Sequence, residues 1–377
     1  MYIPYAKQYI DEEDIRAVTD ALRDEYLTTG PKVDEFERIF ASYVGAKYAV
    51  AVCNGTAALH IACLAAGIGP GDEAITSPLS FAASANCVLY CGGTPVFADI
   101  DERTYNIDPE DIERKVTPRT KMIIPVHLTG QPCDLDAIHD VAKRHGLLVL
   151  EDAAHALGAT YKGQKIGSLS EMTEFSFHPV KHITTGEGGM VTTDDAKLYE
   201  RLKLFRTHGI TRDRALMHND EGGWYYEQLE LGYNYRITDV QCALGICQMK
   251  KLERSLARRR EIAGMYDKGF AGVEGIISPY QSPHGHNSYH LYAIRVTGAP
   301  RKQIYDALQA AGIGVNVHYV PTYKFPYYRN HGYDGVCRPR AEKVYGQLIS
   351  LPMYYSLRDE EVQYVIEQVK KAMIKYM

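Results

Sequence analysis

From residue 48 onward, short apolar and β-branched runs alternate with longer stretches of helical period. The runs are YAVAVC (48–53), EAITS (73–77), TPVFAD (94–99), MIIPV (122–126), LLVLED (147–152), EFSFH (174–178) and GMVTT (189–193). Between them lie stretches such as TAALHIACLAAG and DLDAIHDVAKRHG, which open at a plausible cap and close at a glycine, as helices do. Seven strands separated by helices predict a doubly wound, mostly parallel sheet.

Ahead of this unit, DEEDIRAVTDALRDE spaces Ile15, Val18 and Leu22 at helical intervals with acids in its first turn, the sign of an N-terminal docking helix. After Thr238 a periodic stretch runs some thirty residues without proline and turns basic midway. It predicts one long helix bridging two domains. Beyond it come a strand in NSYHLYAIRV, a helix near 300–311, a strand near 313–319 and a C-terminal helix near 358–375. The expected division is a large α/β domain over 1–250 and a smaller α+β domain over 251–377. The polar, aperiodic segment 210–232 predicts a long loop, and loops of that length tend to be functional.

Composition narrows the class. The chain has 377 residues, with 45% hydrophobic and 24% charged positions and a net charge of −5, so disordered and collagen-like classes drop out and no basic footprint invites nucleic acid or anionic lipid. No apolar run reaches the roughly 20 residues of a transmembrane helix. The first residues carry neither a basic n-region nor an apolar h-region, which predicts a cytoplasmic protein. Eight cysteines without any C-x-x-C pair read as buried free thiols.

Three local patterns carry chemistry. In EFSFHPVKHITTGEGGMVTT a strand turns through Pro179 and presents Lys181 before a glycine-rich return strand, at the sheet edge where open α/β sheets bind ligands. One strand earlier, LLVLED ends in Asp152. A carboxylate there needs a cation or serves as a cap. Together an amine and a carboxylate at neighbouring strand ends suit pyridoxal phosphate chemistry, which uses a Schiff-base lysine and an acid against the pyridinium nitrogen. The third pattern, VCNGTAALH, runs a strand through Asn54, Gly55 and Thr56 directly into a helix. It is either a phosphate cradle or an ordinary turn capped by Thr56.

The combination of NGTAALH, SPLSFAASAN, EDAAHALGA, SFHPVK with TTGEGG, and GYNYRITDVQCALG resembles the DegT-type sugar-nucleotide aminotransferases, and the resemblance runs from about Tyr5 to the C-terminus. It implies a fold-type-I (aspartate-aminotransferase-like) pyridoxal phosphate architecture and a cofactor that alternates with pyridoxamine phosphate. It implies Lys181 as Schiff-base lysine and proton shuttle, Asp152 against the ring nitrogen, His155 against the ring or its 3-hydroxyl, and Phe81 stacked on the pyridine face. Ser176, Gly55, Thr56 and the amide of Ala57 would hold the phosphate. Asn234 would reach the phosphate of a neighbouring subunit, implying a homodimer, and Tyr5, Tyr26, Thr28, Arg236, His318 and Tyr319 would meet the sugar nucleotide. Within the family, SFHPVK-x-ITTGEGG and the late HY-x-P most resemble the enzymes that aminate C4 of a UDP-linked 4-keto-6-deoxy-N-acetylhexosamine for pseudaminic acid, with L-glutamate as donor.

Alternatives keep the cofactor and change the sugar: a dTDP- or GDP-linked 4-keto-6-deoxyhexose, a UDP-4-keto-pentose or a 3-keto sugar. A non-catalytic sensory protein on the same fold is a different class, which the intact lysine and aspartate argue against. Related dehydratases have histidine where the aminotransferases have lysine. Lys181 stands in that register, five residues after Ser176, leaving His182 as an ordinary variable position and His178 as structural. His284, His286 and His290 read as a polar loop, not a metal site. GIGPGD at 67–72 reads as a turn, since it lacks the register of a dinucleotide fingerprint.

Overall fold

The computed structural model describes residues 2–377. Seven strands form the main sheet: β1 (Tyr48–Val52), β2 (Glu73–Thr76), β3 (Thr94–Phe97), β4 (Thr120–Ile124), β5 (Leu148–Asp152), β6 (Met172–Ser176) and β7 (Gly189–Thr193). Their order is β1-β7-β6-β5-β4-β2-β3, with β7 antiparallel to its neighbours and the other pairings parallel. All seven expected strands are present, β6 ending two residues early because Phe177 and His178 open the turn that carries Lys181.

Strand residues alternate between two cores. Ala49, Ala51, Ile123, Val149, Phe175 and Met190 join one, with side chains of helices α2 (Pro31–Val44), α6 (Leu135–His145) and α8 (Asp239–Met249). Val50, Val52, Met122, Ile124, Leu150 and Val191 join the other, with helices α3 (Gly55–Ala65), α4 (Ala83–Tyr90) and α7 (Ala196–Arg206). Both faces of the sheet are therefore covered, which is why its strands read as continuous apolar runs. Helix α1 (Glu12–Ala21) starts at an Asp11 capping box and packs on α8. Helix α5 (Pro109–Lys115) packs on α6.

The expected single bridging helix is two helices. After α8, Lys250 and Lys251 make tighter i→i−3 bonds to Cys247 and Gln248 before α9 (Leu252–Phe270) begins. Two demands explain the break: α8 is buried on nearly all sides, and the Lys251 ammonium turns back to Asp11 and to Asp14 at 3.1 Å, fastening α1. Along α9 the core changes, Leu252 and Leu256 joining the main-sheet core and Ile262, Ala263, Tyr266 and Phe270 a third one.

That third core lies between α9, α10 (Arg301–Ala310), α12 (Asp359–Tyr376) and a three-stranded antiparallel sheet of β8 (Ile276–Ile277), β9 (Tyr292–Val296) and β10 (Leu348–Leu351). Helix α11 (Pro339–Gln347) leads into β10. The strand expected near 313–319 is not formed: only the bridges Ile3↔Ile313 and Asn316↔Ser350 tie this segment down. Ile313 and Val315 join the third core, whereas Asn316, Val317, His318 and Tyr319 line a large cavity. We propose 1–250 and 251–377 as the working division into domains, with Ile3 crossing into the second core. Segment 210–232 is mostly loop, closed by a two-residue ribbon pairing Ile210–Thr211 with Glu227–Gln228.

Candidate active site

The carboxyl ends of β5 and β6 open onto a cavity of about 950 Å³, lined among others by Tyr5, Gly55, Thr56, Phe81, Asp152, His155, Glu174, Ser176, Lys181, His318 and Tyr319. That volume lies within the usual range of ligand pockets. At its base α3 begins. Its cap is Asn54, whose Oδ1 accepts the Ala57 N–H at 2.8 Å; the Thr56 hydroxyl does not cap the helix. The first-turn amides of Gly55 and Thr56, which a helix leaves without partners, line the cavity with the positive end of the helix dipole behind them. Glycine at 55 lets them approach: a Cβ there would overlap Glu174 Oε1 and stand 3.0 Å from Ser176 Cβ.

Asp152 ends β5. Its Oδ2 accepts the Ser84 hydroxyl at 2.5 Å, with Ser80 a further 2.6 Å behind, and its Oδ1 accepts the Ala154 N–H at 3.2 Å. No helix follows, so Asp152 is not a helix cap. Lys181 sits on the loop after β6, which the bonds Phe177 N–H to Gly188 O and Thr185 N–H to Phe177 O hold closed. Burial lowers the Lys181 amine from 10.5 to about 8, and the acidic pair Glu174 and Asp152 beside it opposes that fall.

His155 is buried and stays neutral: burial, then the charge of Lys181, pushes its pKa well below 6.5. The Thr129 N–H donates to its Nδ1 at 3.3 Å, so Nε2 carries the proton and faces the Tyr319 oxygen at 3.2 Å. Tyr319 thus joins the base of the site to the second sheet across 164 residues of sequence. His318 donates to or accepts from the Ser350 hydroxyl at 2.8 Å, and burial lowers it to about 4. Phe81 stands on the rim, 63% exposed, 6.4 Å from the Tyr319 ring.

Four of the expected residues lie outside this cavity. Tyr26 and Asn234 are exposed, Arg236 is half-buried, and Thr28 pairs by a backbone bridge with Thr238, the N-cap of α8. One histidine expectation is corrected in part. His290 stands in the loop before β9 but is buried rather than solvated, its ring 4.3 Å from that of His155. His182 is buried, with Nε2 3.1 Å from the Ser288 carbonyl. His178 is exposed on the cavity wall.

The sequence reading missed Glu174 and Ser84. A signal for the first was available: Met172, Glu174 and Ser176 share one face of β6, and an acid on the face of the phosphate-side serine is out of place in a buried strand.

The DegT/DnrJ/EryC1/StrS aminotransferase family matches residues 8–370. The chain belongs to that family. It is 46% identical to the spore coat polysaccharide biosynthesis protein SpsC of Bacillus subtilis, over 98% of this chain and 96% of that one. It is 40% identical to the GDP-perosamine synthase of Caulobacter vibrioides (92% and 91% covered) and 38% identical to the UDP-4-amino-4,6-dideoxy-N-acetyl-beta-L-altrosamine transaminase of Campylobacter jejuni (98% and 99%). A Streptococcus pneumoniae protein described as a sugar aminotransferase, solved in its PLP form, superposes with a TM-score of 0.94 at 35% identity, all of both chains covered. The DegT-family chain is a sugar aminotransferase of fold-type I that uses pyridoxal phosphate. Its cavity fits that group: free first-turn amides beside a residue without a Cβ suit a phosphate, a hydrogen-bonded carboxylate suits a pyridinium nitrogen, and an amine near 8 suits an aldehyde. No helix among the described residues is long and apolar enough to cross a membrane.

Proposed function

We propose that this aminotransferase moves an amino group from L-glutamate to the C4 ketone of a UDP-linked 4-keto-6-deoxy-N-acetylhexosamine, as in pseudaminic acid synthesis. The observation that carries the site assignment is the pairing of Lys181, its amine lowered to about 8, with Asp152 on the adjacent strand end inside one cavity. The relative named for the altrosamine product, matched over nearly its whole length, supports the substrate.

Bound pyridoxal phosphate supplies an electron sink for the pair released when the donor's α-proton leaves. Lys181 anchors it and carries that proton, since an amine with a pKa near 8 gives and takes protons readily near neutral pH. Asp152, held by Ser84 and Ala154, would lie against the ring nitrogen. Thr56, Ser176 and the free amides of Gly55 and Thr56 would hold the phosphate; the Ala57 amide expected there is instead taken by the Asn54 cap. Phe81 covers one ring face, and neutral His155 orients the ring from the other side. Tyr5, His318 and Tyr319, on the cavity wall, meet the sugar nucleotide. Asn234, exposed and outside this cavity, would complete the neighbouring subunit's site in a homodimer, and Tyr26, Thr28 and Arg236 remain candidates for the sugar nucleotide.

A second reading keeps the chemistry and takes a GDP-linked 4-keto sugar, on the strength of the 40% identity to a GDP-perosamine synthase. One experiment separates them. The protein is loaded with pyridoxamine phosphate, the UDP-linked keto sugar of L-arabino configuration is added, and the cofactor's absorbance is followed. Return of the pyridoxal form with an amino sugar of the expected mass supports the UDP reading. Return with the GDP sugar alone replaces the substrate, and silence with every keto sugar overturns the proposal.

A further inference from the structure

We propose that Glu174 is a positioning residue that carries a proton and, hydrogen-bonded to Asp152, forms a carboxylic acid–carboxylate pair presenting a single negative charge to the cofactor cavity. The proposal deepens the site reading above and rests on it only for the identity of what the pair faces.

The placement is fixed by the sheet. Asp152 and Glu174 are register partners across the parallel pairing of β5 with β6, and the Ala153 N–H donates to the Glu174 carbonyl at 2.9 Å between them. Glu174 is 1% exposed and lines the cavity. Its Oε1 lies where a Cβ on Gly55 would be, so the absence of a side chain at 55 makes the room it occupies. Its Oε2 is buried without any hydrogen-bond partner among the described residues.

The two carboxyls are treated unequally. Asp152 accepts a hydroxyl and an amide, one on each oxygen, as a carboxylate should. An ionised Glu174 would instead be a buried charge with no donor, a state that costs more than taking up a proton. The groups facing it are Asp152 on β5, the Lys181 amine, and the Cys87 thiol on α4. Burial comes first and the neighbouring Asp152 charge second in pushing its acid well above the ordinary glutamate range, against the pull of Lys181. Two like carboxyls at one site resolve this way when a single proton is shared. A neutral Glu174 can donate to Asp152, fixing the direction in which that carboxylate points while leaving its charge in place.

The test is made on the full-length protein. In the infrared spectrum at pH 7, where an ordinary glutamate is ionised, the wild type should show the C=O stretch of a protonated carboxylic acid that is absent from Glu174→Gln. Glu174→Leu, which suits the apolar surroundings of β6, gives the same difference should the amide variant fold poorly. Pyridoxamine phosphate dissociation, followed by cofactor fluorescence, supplies the second readout. Leucine removes the donor to Asp152 and should loosen the cofactor about tenfold more than glutamine, which keeps one. An unchanged carboxylic-acid band in both variants, or equal loosening by both, overturns the proposal. Failure of the site reading looks different: the wild type would then not capture pyridoxal phosphate at Lys181, whatever the infrared band shows.

Discussion

Covalent capture of pyridoxal phosphate by Lys181 can be predicted as a function of pH. Only the uncharged amine attacks a carbonyl carbon. Burial moves this amine from 10.5 to about 8, so at pH 7 about one chain in ten carries it uncharged, against about one in three thousand for an ordinary lysine. Capture at Lys181 should therefore outrun capture at an exposed lysine by about 300-fold at pH 7, before any gain from phosphate binding. The rate should climb about tenfold per pH unit up to near 8 and then level off. The cofactor-free protein is mixed with pyridoxal phosphate at fixed pH and quenched with borohydride at intervals. Modified peptides are then counted by mass spectrometry, with exposed Lys302 in the same digest as the comparator. Because the Asp152 charge holds the amine up, Asp152→Asn should move the levelling point to lower pH. A Lys181 rate that keeps the same slope to pH 10, or equals that of Lys302, refutes the reasoning.

Three further outcomes follow from the packing. Gly189→Ala should destabilise more than Gly55→Ala in urea unfolding, because a Cβ at 189 would stand 2.6 Å from the Asn54 carbonyl and 2.8 Å from the Gly55 nitrogen, all backbone, whereas at 55 it meets mainly the end of Glu174. Overpacking of this kind costs about 1–3 kcal/mol, and equal losses would show that the helix start yields freely. Lys251→Met leaves fully buried Asp14 with Gln248 as its remaining side-chain partner and should cost about 1–3 kcal/mol in the same assay; an unchanged midpoint would mean α1 is not fastened by this ion cluster. Glu227 collects donors from the His218 backbone and ring, the Asn219 amide and the Tyr225 hydroxyl, which lower its carboxyl from 4.5 to about 2. Its stabilisation of the 210–232 loop is complete above the ordinary value and lost as pH falls from about 4.5 towards 2. The sole tryptophan, Trp224, lies in that loop, so its emission should change over that acid range, and Glu227→Gln should show the acid-form spectrum at neutral pH.

The chain by itself determined the seven strands of the main sheet, the turn after Val52 and the glycine-rich return after Lys181, because each is written in local pattern: a run of apolar residues buried on both faces, or a glycine where a side chain has no room. It also put Asp152 at the end of one strand and Lys181 on the turn after the next, and the pairing of β5 with β6 makes those two strand ends neighbours. Tertiary structure decided the rest. The helix predicted after Thr238 breaks at Lys250 because Lys251 answers acids some 240 positions earlier, which no periodicity records. His290 reads as a solvated loop residue until folding buries that loop against His155, and Tyr319 gains its partner only when the second sheet closes over the first. Glu174 is an acid in an apolar strand on paper; its neighbours Asp152, Gly55 and Lys181 come from three other elements. Periodicity reports which way a side chain faces, whereas protonation and partnership depend on what packs opposite, and that is set by contacts between elements far apart in the chain.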